Sequence, residues 1–248
     1  MSQILIYTLI IISLIILNTP EVYSQIELDT ETGLAFSGYN DVRIPGDTGT
    51  LFSLSEDLKA DPVFFYRIRL FYHFNERHHL GALYAPFSFK SNGQLNRDLF
   101  FEDKTFPADT PLETTYMFNS YRLIYRYDFL RSDKLDAGIG FTAKIRDAKI
   151  AVKGGGQNAE KTNVGFVPII HFRVLWKVSG SFAFLIDGDA LAAPQGRAED
   201  VLAALVYQPS DKIKLKAGYR ILEGGADNDE VYNFALVNYA AVGAVFEF

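Results

Sequence analysis

The 248-residue chain contains no cysteine. This absence excludes disulfide scaffolds, cysteine-ligated zinc, iron–sulfur clusters, cysteine nucleophiles and the acylated cysteine of a lipoprotein. The chain also lacks an excess of positive charge, since its net charge is −6, and this argues against a nucleic-acid partner. With 48% hydrophobic and 15% aromatic residues, the chain is too apolar to be disordered.

Long apolar runs are also scarce, and the one that occurs is Ile4–Leu17. It is too short to span a bilayer comfortably and fits the core of a signal peptide. Short side chains at the −3 and −1 positions predict cleavage after Ser24, so that residues 1–24 form the signal peptide and residues 25–248 form one domain. The alternative is an uncleaved anchor helix, because Met1–Leu9 contains no Lys or Arg.

The remainder of the chain alternates with a period of two residues, which is typical of β-strands. In Val63–Phe74, aromatic and aliphatic residues occupy the even positions, whereas Arg67, Arg69 and His73 occupy odd positions. In a soluble β-sandwich the apolar face would form the core and the arginines would face water. In a membrane barrel the apolar face contacts lipid and the arginines line the lumen.

Similar alternation predicts ten strands. They are Leu28–Tyr39, Val63–Phe74, His79–Phe89, Ser120–Tyr127, Leu135–Arg146, Phe166–Lys177, Phe182–Asp189, Val201–Tyr207, Lys212–Ile221 and Tyr232–Phe248. Short polar turns alternate with longer connections, notably Asp41–Asp61, Ser91–Glu113 and the glycine-rich Gly154–Asn163. This alternation favours an all-β fold, a closed antiparallel up-and-down transmembrane β-barrel of about ten strands (eight to twelve), with short periplasmic turns and long outer loops.

Aromatic residues cluster immediately before the short turns. They are Tyr72, Phe74, Tyr127, Phe129, Trp176 and Tyr207. Aromatic residues favour strands in general. Their concentration at one end of the strands, however, favours an aromatic girdle at the inner of the two interfaces between the membrane and water.

The last strand carries a resemblance to a known class. Apolar residues alternate along residues 239–248, and the chain ends at Phe248 with a second aromatic residue, Phe246, two places earlier. This segment resembles the terminal strand of bacterial outer-membrane β-barrel proteins, in which such a strand is recognised by the barrel-assembly machinery. The resemblance implies a Gram-negative bacterium, export through the inner membrane, location in the cell outer membrane, and contact with its lipid and lipopolysaccharide. It points to no narrower family.

The omptin proteases also have ten strands, and their catalytic groups are a pair of Asp residues and an Asp–His pair at the outer rim. In this chain Asp187 and Asp189 are expected to approach the rim, but no His is expected there. The catalytic residues of that family are therefore not carried over.

If the apolar face contacts lipid, the opposite face lines the lumen. The predicted lumen-lining residues are Arg67, Arg69, Arg122, Arg126, Lys144, Arg146, His171, Arg173, Asp187, Asp189 and Arg220. One interpretation is a salt-bridged polar plug, because buried charges require partners. The other is a narrow porin-like channel that favours anions, because basic side chains outnumber acidic ones.

Features that would indicate an enzyme are weak. His73, His78 and His79 surround a short turn, where we expect them at the water interface. Gly154–Gly156 lacks the Lys-Ser/Thr of a phosphate-binding loop and is expected to be a flexible outer loop. Asp227–Glu230 is expected to be a solvated acidic loop rather than a Ca²⁺ site. No cofactor and no metal site is predicted, and the oligomeric state stays open.

Three functional hypotheses remain. The first is a non-catalytic outer-membrane barrel with a structural, surface-interaction or small-solute role. The second is an outer-membrane enzyme acting on lipid or peptide, and the third is a soluble periplasmic β-protein.

Overall fold

The computed structural model describes residues 25–194 and 196–248, so the predicted signal peptide lies outside the described residues. No helix within these two ranges is long and apolar enough to cross a membrane. The strands of the described residues are β1 (Ile26–Arg43), β2 (Phe52–Ser53), β3 (Leu58–Ala60), β4 (Val63–His73), β5 (His78–Ala85), β6 (Ser88–Gly93), β7 (Leu99–Phe101), β8 (Lys104–Phe106), β9 (Leu112–Arg131), β10 (Leu135–Gly154), β11 (Gln157–Lys177), β12 (Phe182–Ala193), β13 (Gly196–Ser210), β14 (Ile213–Asp227) and β15 (Tyr232–Glu247).

Ten of these described strands form a closed antiparallel barrel, in the order β1, β4, β5, β9 and then β10 to β15. The barrel closes where β15 pairs with β1, for example at Thr32 and Val242. Closure gives every barrel strand a partner on both sides over at least part of its length, as a β-structure in lipid requires. The expected fold class is confirmed. We call the end with the short turns and both described termini the inner end, and the opposite end the outer end.

Alternation in the sequence becomes an apolar outer surface. On β4, Phe64, Tyr66, Ile68 and Leu70 are exposed, whereas the residues between them are buried. On β10 the outward apolar residues run from Leu135 to Ile145. Ten steps of about 3.4 Å, on a strand tilted by about 40°, correspond to a height of about 26 Å. This agrees with the apolar band of about 25 Å on transmembrane barrels.

Aromatic side chains lie at the inner end of this apolar band. Phe74, Tyr127, Phe129, Trp176 and Tyr207 are exposed there. The remaining residue of the predicted girdle, Tyr72, is half-buried. The aromatic residues therefore encircle the inner end of the barrel, where the girdle is expected.

The prediction of a long, flexible outer loop at Gly154–Asn163 is wrong. β10 and β11 stay paired up to Gly154 and Gln157, which leaves a two-residue turn. Gly155 and Gly156 have φ values of 55° and 77°. A tight hairpin turn of this kind requires positive φ at both central residues, and glycine adopts it without steric cost.

The predicted strand His79–Phe89 is interrupted. β5 ends at Ala85 and β6 begins at Ser88, with Pro86 between them. Proline has no N–H to donate to a neighbouring strand, which explains the break. β6 continues along β9 but pairs with the short β3 on its other side.

The two long outer connections, residues 44–62 and 86–111, fold inward as a cap over part of the barrel mouth. Thr50 N donates to Phe100 O, and Glu102 N donates to Ile44 O, both at 2.9 Å, so backbone hydrogen bonds join the two connections. The apolar interior of the cap belongs to one cluster with the inner faces of β1, β9, β10 and β11. This cluster includes Val42, Phe52, Leu54, Phe101, Phe106, Leu112, Ile150 and Val152. The cap is therefore a packed part of the fold.

A gap separates β11 from β12 in the outer half of the barrel wall. These strands pair only from Ile170 and Ala190 to Lys177 and Ala183. Residues 157–169 of β11 consequently have no strand partner on that side within the described part of the chain. Pro168 lies near the end of this unpaired stretch, next to the paired region, and an unpaired strand edge tolerates a residue that lacks an N–H.

The apolar band leads to a prediction that distinguishes a lipid-facing surface from a water-facing one. Leu70 and Leu51 are equally exposed (50% and 49%), but Leu70 lies on the band and Leu51 in the cap. Leu70→Arg should lower the free energy of unfolding in lipid vesicles by about 2–4 kcal/mol, because a cation would enter the hydrocarbon. The matched change Leu51→Arg should have little effect. Urea unfolding followed by fluorescence of the single tryptophan measures both, and equal effects would contradict a lipid-facing band.

Candidate functional site

The structure places the predicted lumen-lining residues on the inner faces of β4, β9, β10, β11, β12 and β14. Most of them are buried, namely Arg67, Arg69, Arg122, Arg126, Lys144, His171, Asp187, Asp189 and Arg220. Arg146 and Arg173 are half-buried. These side chains come together inside the barrel although they lie far apart in the sequence.

Asp200 on β13 is the centre of a buried ion-pair network. Its carboxylate accepts a hydrogen bond from Arg67 Nη2 at 3.0 Å and also pairs with Arg122 and Arg220. The three arginines belong to β4, β9 and β14, so they reach Asp200 from different sides of the barrel. Asp200 is 2% exposed. The ion pairs therefore cross the lumen.

Further pairs extend this central ion-pair network. Arg220 donates to both carboxylate oxygens of Glu31, at 2.8 and 2.9 Å. Lys216 Nζ lies 2.6 Å from an oxygen of Asp29 and 2.8 Å from one of Glu31. Arg69 Nη1 lies 2.8 Å from Asp187 Oδ1. Seven Lys or Arg residues and six Asp or Glu residues are buried in the described part of the chain, so the interior charge is nearly balanced.

Sequence analysis did not identify Asp200 as an interior residue. The predicted strand begins at Val201, five residues after the observed start of β13 at Gly196, and therefore excludes Asp200. Extending the alternation backwards from Val206, Ala204 and Leu202 would have placed Asp200 on the inner face. The missed signal was therefore the true length of a weakly patterned strand.

A second group of polar residues lies at the inner end. His79 was expected at the water interface, but it is buried, with its Nε2 2.9 Å from Asp128 Oδ2 and its Nδ1 2.7 Å from His73 Nδ1. Arg126 Nε donates to the other oxygen of Asp128 at 2.8 Å. The side chain of His79 points inward because its odd position on the hairpin faces the lumen opposite His73. These contacts bind the inner ends of β4, β5 and β9 together.

The expectation for Asp187 and Asp189 also needs correction. Both are buried inside the barrel rather than at its rim, because they lie on the inner face of β12 and pair with arginines. A histidine does meet Asp189: His171 Nδ1 lies 3.0 Å from Asp189 Oδ1, since the two residues are opposite each other on β11 and β12. Sequence spacing alone did not reveal this pairing across strands.

The acidic segment Asp227–Glu230 forms the connection between β14 and β15. Asn228 Oδ1 accepts hydrogen bonds from the backbone N–H groups of Glu230 and Val231, each at 3.0 Å. The side chain of Asn228 thus stabilises the turn itself.

A cavity of about 520 Å³ lies between the central ion-pair network and the outer rim. Its walls include Ile169, Leu222 and Val237 from the barrel, and Ile44 and Tyr116 on the side of the cap. Burial raises the pKa of the Tyr116 phenol, which therefore stays neutral. The volume falls within the range of about 300–1,000 Å³ that is typical of small-molecule sites.

This outer-mouth cavity lies directly above the network. Leu222 follows the network residue Arg220 by two positions on β14. Lys144 likewise follows Thr142 on β10, and Thr142 Oγ1 donates to Asp189 inside the barrel. Residues on both sides of the gap between β11 and the β12–β13 hairpin also line the cavity, among them Pro168 and Gly196. The cavity is therefore closed below and open through the gap.

Lys144 and Arg146 bring positive charge into the outer-mouth cavity. Lys144 is 3% exposed, and no carboxylate oxygen of the described residues lies within 4.0 Å of its Nζ. Its Nζ lies 4.8 Å from the centre of the Phe118 ring. Arg146 donates to Asn163 Oδ1, while its buried Nε has no hydrogen-bond partner. Both cations therefore lack an acidic partner in the described chain.

Comparison with known proteins supports the fold. No protein-family model and no curated protein matches the chain. Among solved structures, the outer membrane protease OmpT from Escherichia coli is similar with a TM-score of 0.59, at 10% identity over 93% of this chain and 99% of that one. The chain has the fold of bacterial outer-membrane β-barrel proteins.

Two further solved structures show a weaker similarity. The attachment invasion locus protein Ail of Yersinia pestis has a TM-score of 0.41, at 11% identity over 90% of this chain and 99% of that one. Neisserial surface protein A has a TM-score of 0.36, at 14% identity over 92% of this chain and 100% of that one. At these identities the similarity concerns the fold and not the function.

The central ion-pair network generates a stability prediction. Asp200→Asn should lower the free energy of unfolding by about 3–5 kcal/mol, because three buried arginines lose a shared carboxylate. Glu113→Gln is the matched control, since it removes the acid of the exposed Lys90–Glu113 pair and should cost less than about 1 kcal/mol. Urea unfolding in lipid vesicles compares the two. A small effect at Asp200 would contradict the role of the network.

Proposed function

We propose that this protein is an integral, non-catalytic protein of the bacterial outer membrane that is closed to solutes and binds a small molecule at its outer mouth. The observation that carries the proposal is the position of the outer-mouth cavity, which lies directly above a lumen crossed by ion pairs. A barrel of this kind acts at its outer face.

The exposed apolar band supports the location in the outer membrane. Large apolar side chains on every barrel strand face outward. A soluble periplasmic protein would expose this continuous surface to water, which monomeric soluble proteins rarely do. Export by the predicted signal peptide, contact with lipopolysaccharide, and recognition of Phe246 and Phe248 by the assembly machinery belong to the same proposal.

Near-balance of the interior charge supports a closed barrel rather than an anion-favouring pore. The expectation of a pore rests on an excess of basic over acidic side chains among the predicted lumen-lining residues. In the structure most of these side chains are neutralised by carboxylates, including Asp128 and Asp200, which sequence analysis did not include. An ion crossing the lumen would have to separate several buried pairs, at a cost of several kcal/mol for each unpaired charge.

The fold that this chain shares with OmpT gives little support to the alternative that the chain is a protease. Of the two Asp–His contacts described above, His79 with Asp128 lies at the inner end, and in the other Asp189 and His171 are 2% and 1% exposed. Asp189 also pairs with Arg122 and accepts a hydrogen bond from Thr142 Oγ1 at 2.6 Å. These contacts hold the carboxylate in the interior, away from a peptide at the rim. In our proposal the contact between Asp189 and His171 therefore stabilises the barrel.

Conductance measurements test the closed lumen. The refolded full chain in planar lipid bilayers should give no stable single-channel steps, because the central ion-pair network fills its lumen. A trimeric porin under the same conditions is the positive control, and flotation with lipid verifies that the protein has inserted. Stable, ion-selective steps from the wild-type chain would contradict the proposal.

A further inference from the structure

We propose that the outer-mouth cavity binds an organic monocarboxylate with an apolar body, whose charged end lies between Lys144 and Arg146. The proposal rests on the proposed function and names the chemical class of its ligand. It is carried by a buried cation without a carboxylate partner, at the wall of an open and mainly apolar cavity.

Lys144 is the surplus charge of the interior. Without it, six basic and six acidic residues are buried in the described part of the chain. The carboxylates that lie near Lys144, Asp189 and Asp200, already pair with Arg122. A buried ammonium group without a counter-ion is costly, and the ring of Phe118 compensates only in part. An external anion would complete the pairing.

Arg146 lies two residues further along β10 and adds a second donor group. Asn163 accepts a hydrogen bond from one nitrogen of the guanidinium, and Nε is left without a partner. Guanidinium groups bind carboxylates through directional, charge-assisted hydrogen bonds. Three further cations line the cavity. The Nζ of Lys161 lies 3.3 Å from Glu102, and Arg197 Nη2 lies 2.7 Å from Glu223, so both have an acidic partner. Lys149 occupies an odd position of β10, on the opposite face of the strand from Lys144 and Arg146. On the inner face of β10, the unpaired positive charge of the cavity is thus that of Lys144 and Arg146.

The remaining walls select for an apolar body. Ile169 and Val237 are almost completely buried, and Leu222 lies beside them. Leu191 points inward yet stays exposed, so it offers apolar surface at the entrance. Sites of this composition bind ligands mainly through apolar contact, with a few polar groups fixing the orientation. A carboxylate with an aryl or alkyl body fits both parts of the cavity.

A matched pair of probes tests the assignment. The full chain is refolded into lipid nanodiscs and titrated with 4-phenylbutyrate or with the uncharged 4-phenylbutanol, using isothermal titration calorimetry with empty nanodiscs as the blank. The carboxylate should bind about tenfold more tightly than the alcohol, since a hydrogen-bonded ion pair adds to the same apolar contact. Lys144→Met should abolish this difference, and Lys144→Arg should retain most of it. Lys153→Met, an exposed change on the same strand, should have no effect.

The outcomes separate the two proposals. Equal binding of both probes, or a preference for the carboxylate that survives Lys144→Met, would overturn the assignment of the ligand class but leave binding at the mouth intact. Failure of both probes to bind at millimolar concentration would overturn both the ligand class and binding at the mouth.

Stability provides a readout that is independent of probe affinity. Lys144→Met should raise the urea midpoint of the ligand-free protein, because it removes a buried charge without a partner. Addition of 4-phenylbutyrate should raise the midpoint of the wild type but not that of Lys144→Met. A midpoint that Lys144→Met lowers, as Asp200→Asn is expected to do, would show that Lys144 belongs to the network and would overturn the proposal.

Discussion

Neutralisation of charge inside the barrel is the constraint on which the rest of the structure depends. Lipid contacts the apolar face of every barrel strand, so the opposite faces place charged side chains in a narrow interior. There an unpaired ion costs several kcal/mol. Asp200 meets this constraint by accepting contacts from three arginines at once, and Glu31 joins Arg220 to Lys216. These ion-paired side chains thereby fill the lumen.

The outer half of the barrel is organised differently. The cap covers part of the mouth with apolar packing, and the paired charges stop below it. Lys144 and Arg146 lie at this boundary, where the network ends and the cavity begins. Departure from complete charge pairing coincides with the outer-mouth cavity. Such local departures from the rules of stability are expected at functional sites.

Much of the fold could be predicted because the period of two is local. In β4 each residue was assigned to the correct face, and the alternation in β10 placed Lys144 correctly although its partners were unknown. Strand lengths were harder to predict, because outside the apolar band the outward residues become polar and the contrast between faces disappears. For this reason the tight turn at Gly155 and the outer half of β11 were missed.

The candidate site could be predicted only in part. Alternation identifies which side chains enter the lumen, but not which of them meet across it, because this depends on the stagger of distant strands. The contacts of Arg67 and Arg122 with Asp200 are of this kind. The density of Leu and Phe in residues 95–106 was a signal for a packed cap, since a solvated loop does not need them.

The gap beside β11 determines the direction from which the cavity is reached. Val164 and Phe166 border it on the outward face, so the opening reaches the upper edge of the apolar band. A solute that dissolves in the outer leaflet would reach this gap by diffusion within the plane of the membrane. Its effective concentration there would be set by its partition coefficient, because each methylene group makes the transfer into the apolar phase more favourable by about 0.8 kcal/mol. The membrane itself would then act as the first filter, enriching hydrophobic solutes before the barrel discriminates among them.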